Sequence, residues 1–423
     1  MNARELGGRK RILILGGNRS NLLSVRAAKR AGFVTYVADP RPEASCLQAA
    51  DYPLRLDVLE PESILSAVQQ AGGVDGVVST SEVGVEAAVY LSRKLGIRSI
   101  SEVVAARARS KAAMRELWAG SRFSVDFAVA RTETEAQDAA RKLGLPVVVK
   151  PDRSFGGSRG VSRVASHEQL AAAFHFARSA GMPGTAVVIE RCITGTEYSC
   201  EVLIGDGTVS VLCIGQKVKS LPPYRVDVSV QYPAPFTNEQ ECEIERMCLE
   251  ATSALGLTHW VAHVEFAWTD CGPVLFELGA RCGGGHTPDV AQAVSGVEEF
   301  VEVCRMACGD DPCQFRPLRR SGADYRFLIF PPGKACHFEI PDAVRRCPEV
   351  LDVEILLKPG DDIHGVRTTT DRAGFVVTRG RDRASAVEVA DWACKQISVT
   401  YEDGSVSSAL PMTAFQECHL ERT

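Results

Sequence analysis

Glu265 and Glu277 are the residues whose type and spacing bear most directly on chemistry. Read with a period of two, residues 259–268 place Trp260, Ala262, Val264, Phe266 and Trp268 on one face of a strand. His259, Val261, His263, Glu265 and Ala267 fall on the other. Residues 269–273 read as a turn, and residues 274–278 as a returning strand with Leu275 and Glu277 on one face. If residues 269–273 form the loop, Trp268 opposes Val274 and Glu265 opposes Glu277. Directly opposed side chains have Cβ atoms roughly 4.5–5.5 Å apart, and like charges there repel. A divalent cation would relieve that repulsion, and Mg²⁺ takes one or two carboxylates together with substrate phosphates. A shared proton, the neighbouring Arg281, or another register that leaves both groups solvated would relieve it as well.

A second group of residues suits phosphate. Lys150 ends the apolar run 147–149, and the loop 154–161 follows, with Ser154, Gly156, Gly157 and Ser158. Backbone N–H groups of such a loop can close over phosphate oxygens. There is no GxxxxGK[ST] stretch, so it is not a Walker A loop. Alone, a glycine-rich hairpin is an ordinary flexible turn, but a strand-end lysine beside it adds positive potential at the same place. Lys111, near the start of a helix, is either a second phosphate contact or a solvated surface lysine. Glu190, Arg191, Cys192, Ile193 and Glu197 join two strands. That segment reads as a plain connection, or as a backbone edge for adenine with Glu197 on ribose hydroxyls.

These residues need elements to hold them. Residues 11–15 form a short apolar run, then Gly16 and Gly17, a helical pattern, and a second run from Phe33 to Ala38 ending at Asp39. This is a β-turn-α-β unit, and the alternation continues to about residue 105, predicting a parallel sheet covered by helices. Gly16, Gly17 and Asp39 hint at a nicotinamide site, but the GxGxxG spacing is missing. Thr237 and Gln240 form a capping box opening a helix to Leu255. Lys217 and Lys219, with Tyr224, Arg225 and Asp227, read as a loop near a substrate pocket or as a surface hairpin. A small α/β unit follows from about Arg316, with a helix near 386–397 and a polar end.

The chain of 423 residues exceeds one compact core, so two to three domains are expected. With 45% hydrophobic and 24% charged residues it has the balance of a soluble globular protein. A net charge of −5 offers no footprint for nucleic acid or an anionic membrane. The apolar stretches are too short to span a bilayer, and the polar N-terminus lacks a signal-peptide core, which points to a cytoplasmic protein. Fifteen cysteines are scattered without a CxxC pair, so zinc spacing is absent and buried structural thiols are expected.

Taken in order, the lysine helix, strand lysine, glycine loop, hinge and carboxylate hairpin resemble the ATP-grasp superfamily over nearly the whole chain. The segment 190–197 looks like the hinge of D-alanine–D-alanine ligases. The segment 277–286 is similar to that of bacterial L-amino acid ligases. The resemblance implies an α/β fold of three units: a pre-ATP-grasp parallel-sheet domain (1–105), an ATP-grasp domain of two subdomains (106–312) and a lid-like C-terminal α/β domain (313–423). It implies ATP bound by Lys111, Lys150, the glycine loop, Glu190, the 191–193 backbone and Glu197. It implies Mg²⁺, with Mn²⁺ as the alternative, on Glu265 and Glu277. Arg281 would steady an acyl-phosphate or tetrahedral intermediate, Gly284 would stand among the oxyanion donors, and His263 and His286 would serve near the amine or be structural. Many members carry a metal-binding Asn where this chain has Gly279, which bears on a second metal. The implied reaction joins a small-molecule carboxylate to an amine through an acyl phosphate, with room for a homodimer. A carboxyphosphate-forming carboxylase, a nucleotide sensor and a nicotinamide dehydrogenase are the rival readings.

Overall fold

The computed structural model describes residues 8–154, 156–157, 159–205, 207–220, 225–311 and 321–416. Four strands open the chain in the order Tyr52–Leu54, Val34–Ala38, Arg11–Leu15 and Gly76–Ser79. All their pairings are parallel. Their branched apolar residues are buried on both faces, as a sheet between helices requires. The helices Leu22–Arg30 and Pro61–Gln70 lie in the crossovers, and Gly84–Leu95 follows the last strand. This is the parallel sheet expected from the sequence.

A second sheet of four antiparallel strands has the order Phe127–Ala130, Val187–Arg191, Val147–Pro151 and Ser162–Val164. Val147, Val149, Val187 and Ile189 point into a core under the helices Glu133–Leu143 and Leu170–Ala180. Alternation therefore turns Lys150 and Glu190 to the opposite face.

The largest sheet has eight antiparallel strands. From one edge they are Gly272–Gly279, Trp260–Thr269, Thr196–Gly205, Thr208–Lys219, Asp227–Tyr232, Gly322–Leu328, Gly374–Gly380 and Val350–Ile355. The helix Asn238–Leu255 lies behind it, burying Ile244, Met247, Cys248, Ala251 and Leu255. Its N-terminus has the Thr237–Gln240 capping box, and Gly256 ends it in the left-handed conformation. The sheet runs without a break from strands before residue 312 to strands after 321. A fourth sheet, ordered Asp362–Ile363, Gly333–Glu339, Ser398–Tyr401 and Val406–Ser408, caps the C-terminal unit. The helix Glu299–Ala307 returns to the first sheet, so one apolar core joins Ile12, Val25 and Val78 to Val261, Phe300 and Cys304.

Among the described residues no helix is long and apolar enough to cross a membrane. The described cysteines are all unpaired by disulfide.

Candidate functional site

The hairpin brings Glu265 opposite Glu277, by a route other than the simple count. Thr269 pairs with Gly272, which leaves a turn of only Asp270 and Cys271. Trp268 then faces Pro273, not Val274, so every pair from the turn inward is shifted by one. A bulge at Phe276 absorbs the shift, and Glu265 again meets Glu277. The bulge also corrects the expected faces. Leu275 pairs with Phe266 in the core, while Glu277 lies on the opposite face with Glu265.

The repulsion between the carboxylates is met by lysines in this structure. Lys111 Nζ lies 2.8 Å from Glu277 Oε1, and Lys217 Nζ lies 2.7 Å from Glu265 Oε2. Lys217 and Lys219 are thus strand residues of a hairpin with Asp227–Tyr232, the second of the two readings, with their side chains turned to the carboxylates rather than to the surface; Tyr224 lies outside the described residues. Alternation along three adjacent strands gathers Glu197, Glu201, Lys217, Lys219, His263 and Glu265 on one face. Burial would raise the Glu265 carboxyl, but Lys217 and His263 hold it well below the ordinary carboxylate range. Burial would lower the His263 imidazole, but Glu201 and Glu265 push it up to about 9. His263 lies between two carboxylates, with Nδ1 2.5 Å from Glu201 and Nε2 3.3 Å from Glu265. Both ring nitrogens are engaged by carboxylates, which suits a residue that positions Glu201 and Glu265.

Arg115 was not singled out in the sequence, although it lies one turn after Lys111 on the helix Lys111–Trp118. Its Nε donates to Glu190 (2.6 Å) and its Nη2 to the carbonyl of the bulge residue Phe276 (2.8 Å). Lys150 Nζ stands 2.7 Å from the other Glu190 oxygen. The Glu190 carboxylate is thus buried between two cations. Burial opposes its ionisation, yet Lys150 and Arg115 bring its pKa down to about 2. In this structure the Glu190 side chain is committed to holding Lys150 and Arg115. Arg191 N–H and Cys192 N–H already donate to the Asp126 and Pro146 carbonyls. Of the expected hinge donors, only the Ile193 N–H is uncommitted among the described residues. The Glu197 carboxylate accepts from Lys219 at the rim of the same face.

Gly156 and Gly157 have φ of 82° and 73°, the left-handed region that suits glycine. Ser154 accepts from Gly156 N–H at 3.3 Å, and Ser158 lies outside the described residues. Thr369 of the C-terminal unit donates to the Gly157 carbonyl at 3.3 Å.

Arg281 is held by Glu82, an N-terminal residue missed in the sequence, with Nε 2.8 Å from Oε2. Glu82 also lies 3.3 Å from buried Arg109, which donates to the Ser154 carbonyl. Burial would raise Glu82, but Arg281 and Arg109 lower it. A Cβ on Gly279 would stand 3.4 Å from Glu82 and 3.5 Å from Arg281, so this ion pair occupies the room a longer side chain would need. Gly283 N–H donates to Glu201 at 2.8 Å and is spent, whereas Gly284 is open. Of the two readings of His286, its surroundings suit the structural one. It is fully buried between Tyr325 and Phe375, with Nδ1 2.8 Å from Asp289. Its Nε2 is 3.5 Å from Asp352, too long for a good hydrogen bond.

Among the described residues no three His, Cys, Asp or Glu side chains converge as a metal cage. The donor set still fits Mg²⁺, which needs only one or two carboxylates when phosphates and waters complete its shell. Glu265 and Glu277 are the half-open pair.

Residues 143–289 match the ATP-grasp domain profile, and the chain is an ATP-grasp fold protein. Residues 326–402 match L-amino acid ligase C-terminal domain 2, so the chain carries that domain as well. A Sinorhizobium fredii protein of uncharacterised function is 28% identical over 92% of this chain and 84% of its own. A Corynebacterium urealyticum D-alanine–D-alanine ligase is 38% identical over 36% of this chain, which spans 44% of that enzyme's length. The crystal structure of an L-amino acid ligase from Bacillus licheniformis superposes with a TM-score of 0.80 at 22% identity. It covers 93% of this chain and 99% of that one.

Proposed function

We propose that the chain is an ATP-dependent carboxylate–amine ligase acting on small molecules, with an amino acid as the activated carboxylate. One observation carries the reading: two opposed, half-open carboxylates, each held by a lysine, between Lys150 and Arg115 on one side and Arg281 on the other. Residues 1–105, 106–312 and 313–423 are proposed as the three working units.

Lys111, Lys150 and the glycine loop would receive the phosphates of ATP, with adenine against the Ile193 backbone and ribose at Glu197. Glu265 and Glu277 would hold Mg²⁺, which when bound neutralises charge on the transferring phosphoryl group. A carboxylate oxygen of the first substrate attacks the γ-phosphorus, forming the acyl phosphate as the bond to ADP breaks. The amine nitrogen then attacks the acyl carbon, and phosphate leaves with its bonding electrons. Arg281 and the Gly284 N–H would face the negative charge that develops on the acyl oxygen. His263, bonded to both Glu201 and Glu265, would orient those carboxylates, and the proton the amine loses would pass to the departing phosphate. Closure of the glycine loop would keep water from the acyl phosphate.

The test is a screen of amino acid pairs for ADP release, with products identified by mass. ADP and phosphate are expected, and AMP with pyrophosphate would overturn the reaction type. Glu277→Ala should reduce turnover by at least about 10³-fold while the fold persists. A folded variant with near-normal activity would remove the metal assignment.

A further inference from the structure

The cations of the site mostly have anionic partners: Lys111 with Glu277, Lys217 with Glu265, Lys219 with Asp227, and Arg281 with Glu82. Arg372 differs. It follows the short helical turn Thr369–Asp371, and its Nε donates to the Asp227 backbone carbonyl at 3.0 Å. Its guanidinium carbon stands 3.6 Å from the centroid of the Phe327 ring. The Asp227 carboxylate acts on its charge from a distance, but the terminal nitrogens have no hydrogen-bond or ion-pair partner among the described residues, and Arg372 is only partly buried.

Its surroundings place it at the site. The Asp227 carboxylate belongs to the lysine group, 2.7 Å from Lys219 and 3.8 Å from Lys217. Phe327 packs on Tyr325 with ring centroids 4.5 Å apart. The Tyr325 hydroxyl lies so close to Gly285 that a Cβ there would be 2.5 Å away. Arg372 therefore touches Asp227 directly and reaches the turn carrying Gly284 through the packed rings of Phe327 and Tyr325. The Lys111–Glu277 pair belongs to the edge strand Gly272–Gly279, four strands from Asp227.

A guanidinium held by one backbone bond and stacked on an aromatic ring keeps its planar fork free and oriented. That fork matches a carboxylate through two parallel N–H···O bonds. We propose that Arg372 binds the carboxylate of the amine-bearing substrate, which makes that substrate an amino acid too. The proposal rests on the ligase reading above. A nucleotide phosphate offers the same oxyanion chemistry, but the phosphate-side cations Lys150 and Arg115 gather around Glu190 on other elements.

The experiment takes the most active pair from the twenty common L-amino acids and compares the amine-bearing partner with its own carboxamide. Arg372→Ala should raise KM for that amino acid by at least about 30-fold. KM for ATP and for the activated carboxylate should stay within about threefold, and the carboxamide should be used equally by both enzymes. Arg372→Lys, which keeps the charge without the fork, should recover part of the loss. A rise confined to KM for ATP would assign the residue to phosphate and overturn the proposal. An equal loss on acid and carboxamide would reduce it to a structural role. If the wild type turns over no pair, the ligase reading fails separately. The twenty amino acids and their carboxamides, titrated calorimetrically onto wild type and Arg372→Ala with Mg²⁺ and a non-hydrolysable ATP analogue, then decide Arg372. Binding of an acid, weakened in the variant while its carboxamide is indifferent, supports the proposal; no such difference overturns it.

Discussion

Lys150 shows how burial adjusts one residue for its task. Burial is the main reason its pKa falls to about 8; Glu190 opposes the shift, and Arg115 and Lys111 add to it. Below about pH 8 the ammonium is charged and can bond a phosphate. Above it, the free enzyme must take up a proton before that bond forms. KM for ATP should therefore rise as pH climbs from about 7.5 to about 9, approaching tenfold per unit beyond the pKa. KM for the carboxylate substrate should not follow it, and Lys150→Arg should flatten the rise. A KM for ATP that is level across this range would separate Lys150 from phosphate binding. Much of this was legible in the sequence, because a lysine ending an apolar strand before a glycine loop can be read locally. Glu190 was legible as a position but not as a partner. Its carboxylate meets Arg115, 75 residues away, and such a pair exists only once a helix and a strand are packed.

At the scale of elements, the carboxylate hairpin shows why alternation can give a right pairing through a wrong count. The period of two put Val264 and Phe266 in the core, where they are buried, although Val261 and Ala267 on the other face are buried as well. It carried no sign of the bulge at Phe276, since a bulge is set by how the strand packs against its neighbours. Nor could it show that Thr196–Gly205, the strand beside Trp260–Thr269, presents Glu201 to both His263 and Gly283. Glu201 is almost wholly buried, and a Cβ on Gly283 would stand 2.6 Å from its Oε1 and 2.6 Å from Thr287 Cγ2. Glu201 is held by His263 and the Gly283 N–H, and Thr287 by its bond to the Gly284 carbonyl, so retreat would break those bonds. Gly283→Ala should therefore lower stability by about 1–3 kcal/mol and displace Glu201 from His263. Gly284→Ala, where nothing lies within 4 Å of the added carbon, should cost less than about 0.5 kcal/mol. Denaturant unfolding of the two variants compares them directly, and equal costs would mean that Glu201 is not the constraint.

Across the whole molecule, the site is closed by contacts among three units rather than by any one of them. Glu82 of the first unit holds Arg281, and Arg109 ties Glu82 to the start of the glycine loop. Arg153, beside that loop, pairs with Glu86 of the first unit. Arg19 bonds Asp352 at 2.8 Å and Glu354 at 3.0 Å, joining the first unit to the C-terminal one. The more exposed of these, Arg153 with Glu86 and Arg19 with Glu354, contribute little stability singly, about 0–1 kcal/mol each, so their weight lies in fixing how the units meet. Thr369 completes the enclosure from the C-terminal side by donating to Gly157. If loop closure protects an acyl phosphate, loosening this contact should cost coupling more than stability. Thr369→Ala should leave unfolding within about 0.5 kcal/mol of wild type. It should raise ADP release in the presence of the activated carboxylate alone, several-fold relative to ligated product. Measuring ADP and product in the same reaction gives that ratio. An unchanged ratio would mean that Gly157 docks on Thr369 without guarding the intermediate, and that water is excluded by the first unit's contacts alone.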